Sequence, residues 1–171
     1  MADVTIRLAA DDSDIEIARS LCWDWYEWHW SVFPPDWTKD NNPLDLKKYT
    51  AVVDDLPNLH ARPLGGILLA FLGDQPVGCV MFSEQATGVA EFFRMFVRQD
   101  GRGYGIGRKL LESMFEQMRK DGYKKVVFSS AIFLTHAKTM YENAGFTSVP
   151  IPDSVPVNLR DRVYFMERSL N

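Results

Sequence analysis

The segment Glu91–Asp121 reads EFFRMFVRQDGRGYGIGRKLLESMFEQMRKD and combines an apolar strand, a glycine-rich turn and a long amphipathic helix. Glycine residues allow the backbone to approach a ligand closely, and the start of a helix offers unpaired N–H groups and the positive end of the helix dipole. Together these features predict an anion site that holds a phosphorylated cofactor. The buried face of the helix follows the 3.6-residue spacing at Ile106, Leu110, Leu111, Met114, Phe115 and Met118.

The spacing of the glycines narrows the kind of anion site. A dinucleotide fingerprint GxGxxG would need glycine at position 106 or 108, where the chain has Ile106 and Arg108, and the Gly-Lys-Ser/Thr of a P-loop is missing. What remains is Arg102-Gly103-Tyr104-Gly105-Ile106-Gly107, which follows the pattern R/Q-x-x-G-x-G/A. A tight strand-to-helix turn without a ligand is the alternative that this hexamer alone leaves open.

Composition and charge limit the class of protein. A chain of 171 residues with 46% hydrophobic residues fits one domain with a sizeable core. A net charge of −4 argues against nucleic acid or an anionic membrane as a partner. No signal peptide and no apolar run near the ~18 residues of a membrane span is visible, so we expect a cytoplasmic protein. Basic residues nevertheless flank the predicted anion loop, at Arg98, Arg102, Arg108 and Lys109.

Periodicity along the chain predicts the element order βααβββαβαββ. Alternation at Val4, Ile6 and Leu8 predicts the first strand, and Ser13-Asp14-Ile15-Glu16 reads as a capping box that starts the first helix. A second helix is predicted from Asn42-Pro43 to Asp54, followed by a loop over LPNLHARPLGG. The remaining strands are predicted at Ile67 to Leu72, Val77 to Ser83, Val89 to Arg98, Lys125 to Ser129, Phe146 to Val149 and Arg162 to Ser169, with a last helix over Ala137 to Asn143.

Three separated motifs and this element order resemble the GCN5-related N-acetyltransferase (GNAT) family. The motifs are EFFRMFVR leading into RGYGIG, the strand VVFSS, and MYENAGF, which is close to the family's LYxxxGF. The segment LPNLHARPLGGILLAFLGDQPVGCVMF also resembles a common bacterial subgroup. The resemblance implies one α/β (α+β) domain over residues 1–171, with a central mixed, mostly antiparallel sheet whose fourth and fifth strands splay apart between flanking helices.

The resemblance also implies the activity and its cosubstrate. Family members move an acetyl group from acetyl-CoA to a primary amine by direct attack in a ternary complex. Backbone groups of Met95, Phe96 and Val97 would bind the pantetheine arm, because the splayed strand leaves them without sheet partners. The backbone near Met95 would also stabilise the oxyanion. The pyrophosphate would lie on the hexamer and the residue after it, and the cofactor-binding set therefore continues with Arg102, Gly103, Tyr104, Gly105, Ile106, Gly107 and Arg108.

Two residues are carried over as catalytic. Tyr141 matches the tyrosine that protonates the departing thiolate, and the alternative is that it packs the last helix on the sheet. Glu91 matches the glutamate that begins the family's fourth strand and would accept the amine proton, although a purely structural carboxylate is equally open. Other candidates for the base are Asp24, Glu27, His29, His60 and His136. The chain has Leu134 in place of the family's usual asparagine, so a side-chain contact to the cofactor is either missing or supplied by Ser129 or Ser130.

The acceptor is not identified by the sequence. WDWYEWHW, with four tryptophans in eight residues, predicts either aromatic core packing or an acceptor pocket lined by some of Trp25, Tyr26, Trp28, His29 and Trp30. A small-molecule or peptide amine fits, and a homodimer is compatible with the chain. We expect no metal, since Cys22 and Cys79 lack metal-ligand spacing and predict reduced, buried thiols. A CoA-binding sensor or partner-binding module without transfer activity is the competing function.

Overall fold

The computed structural model describes residues 2–37, 39 and 44–171, which form seven strands and five α-helices. None of the helices in these ranges combines the length and the apolar character needed to cross a bilayer. The first half of the chain contains β1 (Val4–Leu8), α1 (Asp12–Val32), α2 (Leu46–Asp54), α3 (Leu56–Leu59), β2 (Gly66–Leu72), β3 (Gln75–Ala86) and β4 (Val89–Val97). The second half contains α4 (Ile106–Lys120), β5 (Lys125–Ala131), α5 (Thr135–Asn143), β6 (Thr147–Val149) and β7 (Val163–Ser169).

The strands form one sheet in the order β1-β2-β3-β4-β5-β7-β6. Every neighbouring pair is antiparallel except β4 and β5, which run parallel. A parallel pair needs a long crossover connection, and α4 supplies it. The mixed, mostly antiparallel sheet flanked by helices that the sequence predicts is therefore confirmed.

The sheet has a hydrophobic core on each face because side chains along a strand alternate between the two sides. In β2, Leu68 and Ala70 belong to the core that contains α4 and α5. Their neighbours Ile67 and Leu69 belong to the second core, which contains α1 and α2. We call these two sides the α4 face and the α1 face of the sheet.

The N-caps of the first two helices differ from those the sequence predicts. Helix α1 is capped by Asp11, whose carboxylate accepts a hydrogen bond from the Asp14 N–H at 2.9 Å, and not by Ser13. The N-cap therefore lies two residues earlier than the sequence predicts. The Asp14 carboxylate accepts a hydrogen bond from the Ala10 N–H and pairs with Arg7 at 2.6 Å, which fixes the chain just before the helix. Helix α2 is capped by Asp45, and the predicted start at Asn42-Pro43 lies outside the described residues.

The segment predicted as a loop over LPNLHARPLGG contains the short helix α3 instead. Leu56 is fully buried in the core of the α1 face, and Pro57 occupies the first turn of the helix, where its missing N–H costs nothing. Burial of one leucine thus organises a segment whose glycines and prolines favour a loop. The other predicted elements are present, and their ends differ by a few residues.

Strand β4 changes direction near its end. Cys79 of β3 pairs with Phe96 and Met81 pairs with Phe93, so two steps on β3 match three on β4. The extra residue makes a β-bulge in which Arg94 has a φ of 50°, a left-handed conformation that is uncommon outside glycine. This bulge is the one the family resemblance implies.

The pairing of β4 with β5 is short. It covers only Val89, Ala90 and Glu91 on β4, after which the two strands diverge. Just beyond the last pair, the Phe92 and Phe128 rings stack at 4.4 Å between centroids and fill the point of divergence. The splayed fourth and fifth strands are therefore confirmed, and among the described residues the facing edges of both strands have no strand partner from Phe92 and Phe128 onwards.

The two candidate caps of α1 can be separated by mutation. Asp11→Ala should lower the free energy of unfolding by about 1 kcal/mol, since it removes the acceptor for the Asp14 N–H. Ser13→Ala should change it by less than ~0.5 kcal/mol, as expected for an exposed side chain without a structural role. Urea unfolding of both variants measures the difference, and a larger loss for Ser13→Ala would contradict the observed cap.

Candidate active site

A cavity of about 500 Å³ lies where β4 and β5 diverge. Gly107 of α4 and Met140 and Tyr141 of α5 line it from the α4 face, whereas Trp25 and Trp28 of α1 line it from the other face. The cavity therefore has walls from both faces of the sheet. Its remaining walls are Phe92, Phe93, Arg94, Met95, Phe96, Val97, Arg102, Phe128, Ser129, Ser130, Leu134, His136 and Ala137.

The glycine-rich turn adjoins this cavity and leaves backbone donors free. Gly103 and Gly105 have φ values of 87° and 72°, so both positions require the conformational freedom of glycine. The first backbone bond of α4 runs from the Lys109 N–H to the Gly105 carbonyl at 3.1 Å. No acceptor within the described ranges bonds the six preceding N–H groups, those of residues 103–108. Unpaired donors of this kind, together with the helix dipole, are the groups that bind anions at helix starts.

Two of the basic side chains around the turn are already paired with carboxylates. Arg98 pairs with Asp24 and with Asp100 at 3.5 Å, and Arg108 pairs with Glu112 at 2.9 Å. The basic residues noted in the sequence are thus partly neutralised by carboxylates. Of the predicted cofactor-binding residues, Met95, Phe96, Val97, Arg102 and Gly107 line the cavity, and the others lie in the adjoining turn and first helical turn.

Tyr141 lines the cavity on α5 and is 5% exposed. Its ring contacts Phe128 at 4.4 Å, Phe92 at 5.5 Å and Phe146 at 6.0 Å between centroids. Its hydroxyl makes no hydrogen bond to any described residue, and burial raises its pKa above the usual value. The packing role and the proton-donor role are therefore compatible, because the ring packs while the hydroxyl keeps its proton.

Glu91 lies at the last paired position of β4, opposite Val127. Its side chain is half-buried, its carboxylate has no hydrogen-bond partner in the described structure, and it is not among the residues that line the cavity. Burial raises the pKa of its carboxyl group. The structure thus places Glu91 at the base of the gap and separates it from the cavity wall where Tyr141 lies.

The three histidines have different surroundings. His136 lines the cavity at the start of α5. His29 is buried among aromatic rings, with Trp25 at 4.9 Å, and desolvation lowers its pKa to about 4. His60 is also buried and hydrogen-bonds the Phe82 carbonyl at 2.9 Å. Burial, and then the charge of Arg94, lower the pKa of His60 to about 4, so the neutral imidazole is favoured at neutral pH.

Arg94 is a cavity residue that the sequence analysis did not select. Its guanidinium contacts the His60 ring, with 2.5 Å between Nη2 and Nε2, and the Met81 sulfur at 3.4 Å. The sequence does hold a signal for it, since Arg94 is the one charged residue inside the apolar run FFRMFV. The sequence does not predict which face of the sheet the Arg94 side chain lies on, because the bulge interrupts the alternation of side chains between the two faces along β4.

The tryptophan-rich segment is divided between the cavity wall and the core of the α1 face. Trp25 and Trp28 line the cavity, whereas Tyr26, His29 and Trp30 do not. Tyr26 stacks on Tyr49 at 4.7 Å and Trp30 lies 4.7 Å from Phe33, so these rings pack the α1 face. Leu134 is in the cavity wall and caps α5 without a side-chain hydrogen bond, and Ser129 and Ser130 lie beside it. Among the described residues, no group of His, Cys, Asp and Glu is arranged to hold a metal ion.

The sequence is similar to curated acetyltransferases over part of its length. It is 29% identical over 82 residues to the probable N-acetyltransferase family 8 member 5 of Mus musculus, covering 48% of this chain and 35% of the relative. It is also 29% identical over 109 residues to the IAA acetyltransferase of Azospirillum brasilense, covering 63% and 64% of the two chains. The chain thus spans about a third of the length of the first relative and somewhat under two thirds of the length of the second.

Solved structures share the fold along nearly the whole chain. An acetyltransferase of the GNAT family from Staphylococcus aureus matches with a TM-score of 0.75 at 19% identity, covering 99% of this chain and 100% of that one. The PaiA N-acetyltransferase of Thermoplasma acidophilum, solved in complex with coenzyme A, matches with a TM-score of 0.70 at 16% identity, covering 98% and 99%.

The family itself is identified by a sequence model. The model of the Acetyltransferase (GNAT) family matches residues 22–146, which include the second half of α1, the splayed strands, the glycine-rich turn and α5. This match covers well over half of the chain and agrees with the cavity, the bulge and the free amides described above. The chain therefore belongs to the Acetyltransferase (GNAT) family.

Proposed function

We propose that the protein transfers an acetyl group from acetyl-CoA to a primary amine by direct attack in a ternary complex. The observation that carries this proposal is the row of six free amide N–H groups from residues 103–108, next to a cavity that crosses the sheet. A pyrophosphate is the part of CoA that such donors suit. The coenzyme A complex of the PaiA N-acetyltransferase, which shares the fold, supports the choice of this ligand.

The gap between β4 and β5 suits the rest of the cosubstrate. Pantetheine contains two amide groups, and the unpaired edge of β4 around Met95, Phe96 and Val97 offers backbone donors and acceptors for them. The bulge at Arg94 turns this edge, so a backbone N–H near Met95 can stabilise the oxyanion that forms when the amine attacks the thioester carbon. The acetyl group would then lie inside the cavity, between the two faces.

Tyr141 is the proposed proton donor to the departing thiolate. As the tetrahedral intermediate collapses, the carbon–sulfur bond breaks and the sulfur takes up the Tyr141 hydroxyl proton, which solvent later replaces. The raised pKa keeps this hydroxyl protonated at neutral pH, and the hydroxyl has no competing acceptor among the described residues. The three rings around Tyr141 hold its orientation without using the hydroxyl.

Glu91 is the proposed base that removes a proton from the acceptor ammonium group. A carboxylate with a raised pKa is a better proton acceptor than an ordinary glutamate. Since Glu91 does not line the cavity, the proton would have to reach it through water. The acceptor would enter from the α1 face, past Trp25 and Trp28, and would be a small-molecule or peptide amine.

The first test of the cosubstrate is ligand-dependent stability. Acetyl-CoA and CoA should raise the melting temperature much more than NAD or ATP, and at 100 times the dissociation constant should add about 2.7 kcal/mol. Gly105→Val should remove this shift, because a branched side chain would stand where the phosphate meets the backbone. Gly73→Val is the matched control, since Gly73 also has a positive φ and open space but lies in the hairpin. Equal shifts in both variants would contradict the assignment of the loop.

The role of Tyr141 can be separated from its packing. Tyr141→Phe keeps the ring contacts and should lower kcat by about 10²-fold while acetyl-CoA affinity stays nearly the same, since a proton donor acts chiefly in the transition state. Steady-state rates from pH 6 to 10 and calorimetry with acetyl-CoA measure the two effects. Unchanged turnover at every pH would leave Tyr141 with packing alone.

CoA binding without thiol release, for every amine in a broad panel, would indicate a CoA-binding module instead.

The role of Glu91 predicts a particular pH dependence. The base acts as a carboxylate, so its contribution to kcat/KM is present above its raised pKa and is lost as the pH falls through that value. Glu91→Gln should lower kcat/KM by about 10²-fold at neutral pH and remove this dependence. Glu84→Gln, an exposed residue on β3, is the control and should behave as the wild type. A Glu91→Gln profile that coincides with the wild type would assign the base elsewhere.

A further inference from the structure

Arg94 lines the cavity, and its guanidinium contacts residues on the α1 face of the sheet. It follows directly on Phe93 and precedes Met95, and the bulge gives it a φ of 50°. Its guanidinium carbon lies 5.3 Å from the centre of the Phe93 ring, and its Nε group contacts the Met81 sulfur at 3.4 Å. Met81 and Cys79, whose thiol donates to the Arg94 carbonyl, both belong to the core of the α1 face. The guanidinium is therefore on the side opposite the glycine-rich turn.

His60 holds this guanidinium in a fixed position. The Phe82 carbonyl can only accept a hydrogen bond, so Nδ1 of His60 carries the hydrogen and Nε2 is left with a lone pair. That lone pair accepts from Nη2 of Arg94. His60 is 5% exposed and neutral, so it orients the guanidinium without neutralising its charge.

The charge of Arg94 has no carboxylate partner in the described structure. Six other arginines lie within 4.0 Å of an Asp or Glu oxygen, namely Arg7, Arg19, Arg62, Arg98, Arg108 and Arg162. Arg94 has no such contact in residues 2–37, 39 and 44–171, and its Nη1 group makes no hydrogen bond there. A partly buried cation without a counter-charge is costly, even though the whole chain carries a net charge of −4. An anion from a ligand would offset this cost.

The surroundings indicate which ligand supplies the anion. The proposed phosphate site lies on the α4 face, at the start of α4, whereas Arg94 contacts residues of the α1 face. The α1 face is the side from which the acceptor would enter. The same cavity is lined by Trp25, Trp28 and Phe93, whose rings favour an apolar body.

We propose that Arg94 binds a carboxylate of the acceptor, so that the preferred acceptors are amines carrying both a carboxylate and an apolar side chain, as free amino acids do. This assignment of the substrate class rests on the proposed function. The guanidinium fork suits a carboxylate in bidentate geometry, which adds orientation as well as affinity. Arg94 precedes Met95, whose backbone is the proposed oxyanion donor, so a carboxylate held by Arg94 places the neighbouring amine close to the thioester.

The experiment compares amines with and without a carboxylate on the same carbon skeleton. L-phenylalanine, L-tryptophan and L-leucine are each paired with their carboxamide, and calorimetry in the presence of saturating CoA measures the binding of all six. Acetyl-CoA-dependent thiol release is recorded for the same compounds. The acid should bind at least tenfold more tightly than the amide in at least one pair, and kcat/KM should show the same preference.

Three variants connect this preference to Arg94. Arg94→Gln should reduce the ratio of acid to amide affinity to less than twofold, and Arg94→Lys should keep part of the ratio, since it retains the charge but loses the fork. Lys120→Gln removes one positive charge from an exposed position of α4 that does not line the cavity, and should keep the wild-type ratio. A CoA-induced rise in melting temperature verifies that each variant is folded.

The two proposals fail in different ways. Tighter binding of the acid without any thiol release would support the carboxylate site and overturn the transfer activity. Thiol release with amines, but without a preference for the acid in any pair, would support transfer and overturn the carboxylate site. The carboxylate site is also overturned if no acid binds, or if Arg94→Gln keeps the wild-type ratio.

Discussion

The early end of pairing between β4 and β5 is the constraint on which the site depends. Three residue pairs join the strands at Val89, Ala90 and Glu91, and the stacked rings of Phe92 and Phe128 then occupy the point of divergence. A sheet normally satisfies its own backbone groups, so an edge left open inside a domain must find other partners. Here the open edges face a cavity of about 500 Å³, which makes the gap a place for a polar, extended ligand.

The two faces of the sheet contribute different chemistry to this gap. On the α4 face, the backbone supplies six free N–H donors at the start of a helix, and their arrangement depends on the positive φ values of Gly103 and Gly105. On the α1 face, side chains dominate, with the rings of Trp25 and Trp28 and the guanidinium of Arg94. A phosphorylated cosubstrate and an amine acceptor could thus reach the same point from opposite sides. Tyr141 lies beside that point, with its hydroxyl free and its ring packed.

Much of this arrangement could be predicted from the sequence because it depends on local patterns. The glycine spacing and the apolar face of α4 predict the turn and the helix, and MYENAGF identifies Tyr141. Features that depend on contacts between distant residues were missed. The cap of α1 is Asp11 because Asp14 pairs with Arg7, and Arg94 gains its place from a register shift against β3 and from His60, 34 residues away. Glu91 was selected by position in the strand, and only the structure shows that it is set back from the cavity wall.

The central claim is that the turn at residues 103–108 binds pyrophosphate while the gap between the strands binds pantetheine. Backbone amide chemical shifts, measured by NMR during titration with CoA and with pantetheine, test it directly, because pantetheine lacks the phosphates. CoA should shift the amides of residues 103–108 together with those of Met95, Phe96 and Val97, whereas pantetheine should shift only the strand amides. Amides at 103–108 that stay unchanged at saturating CoA would contradict the account.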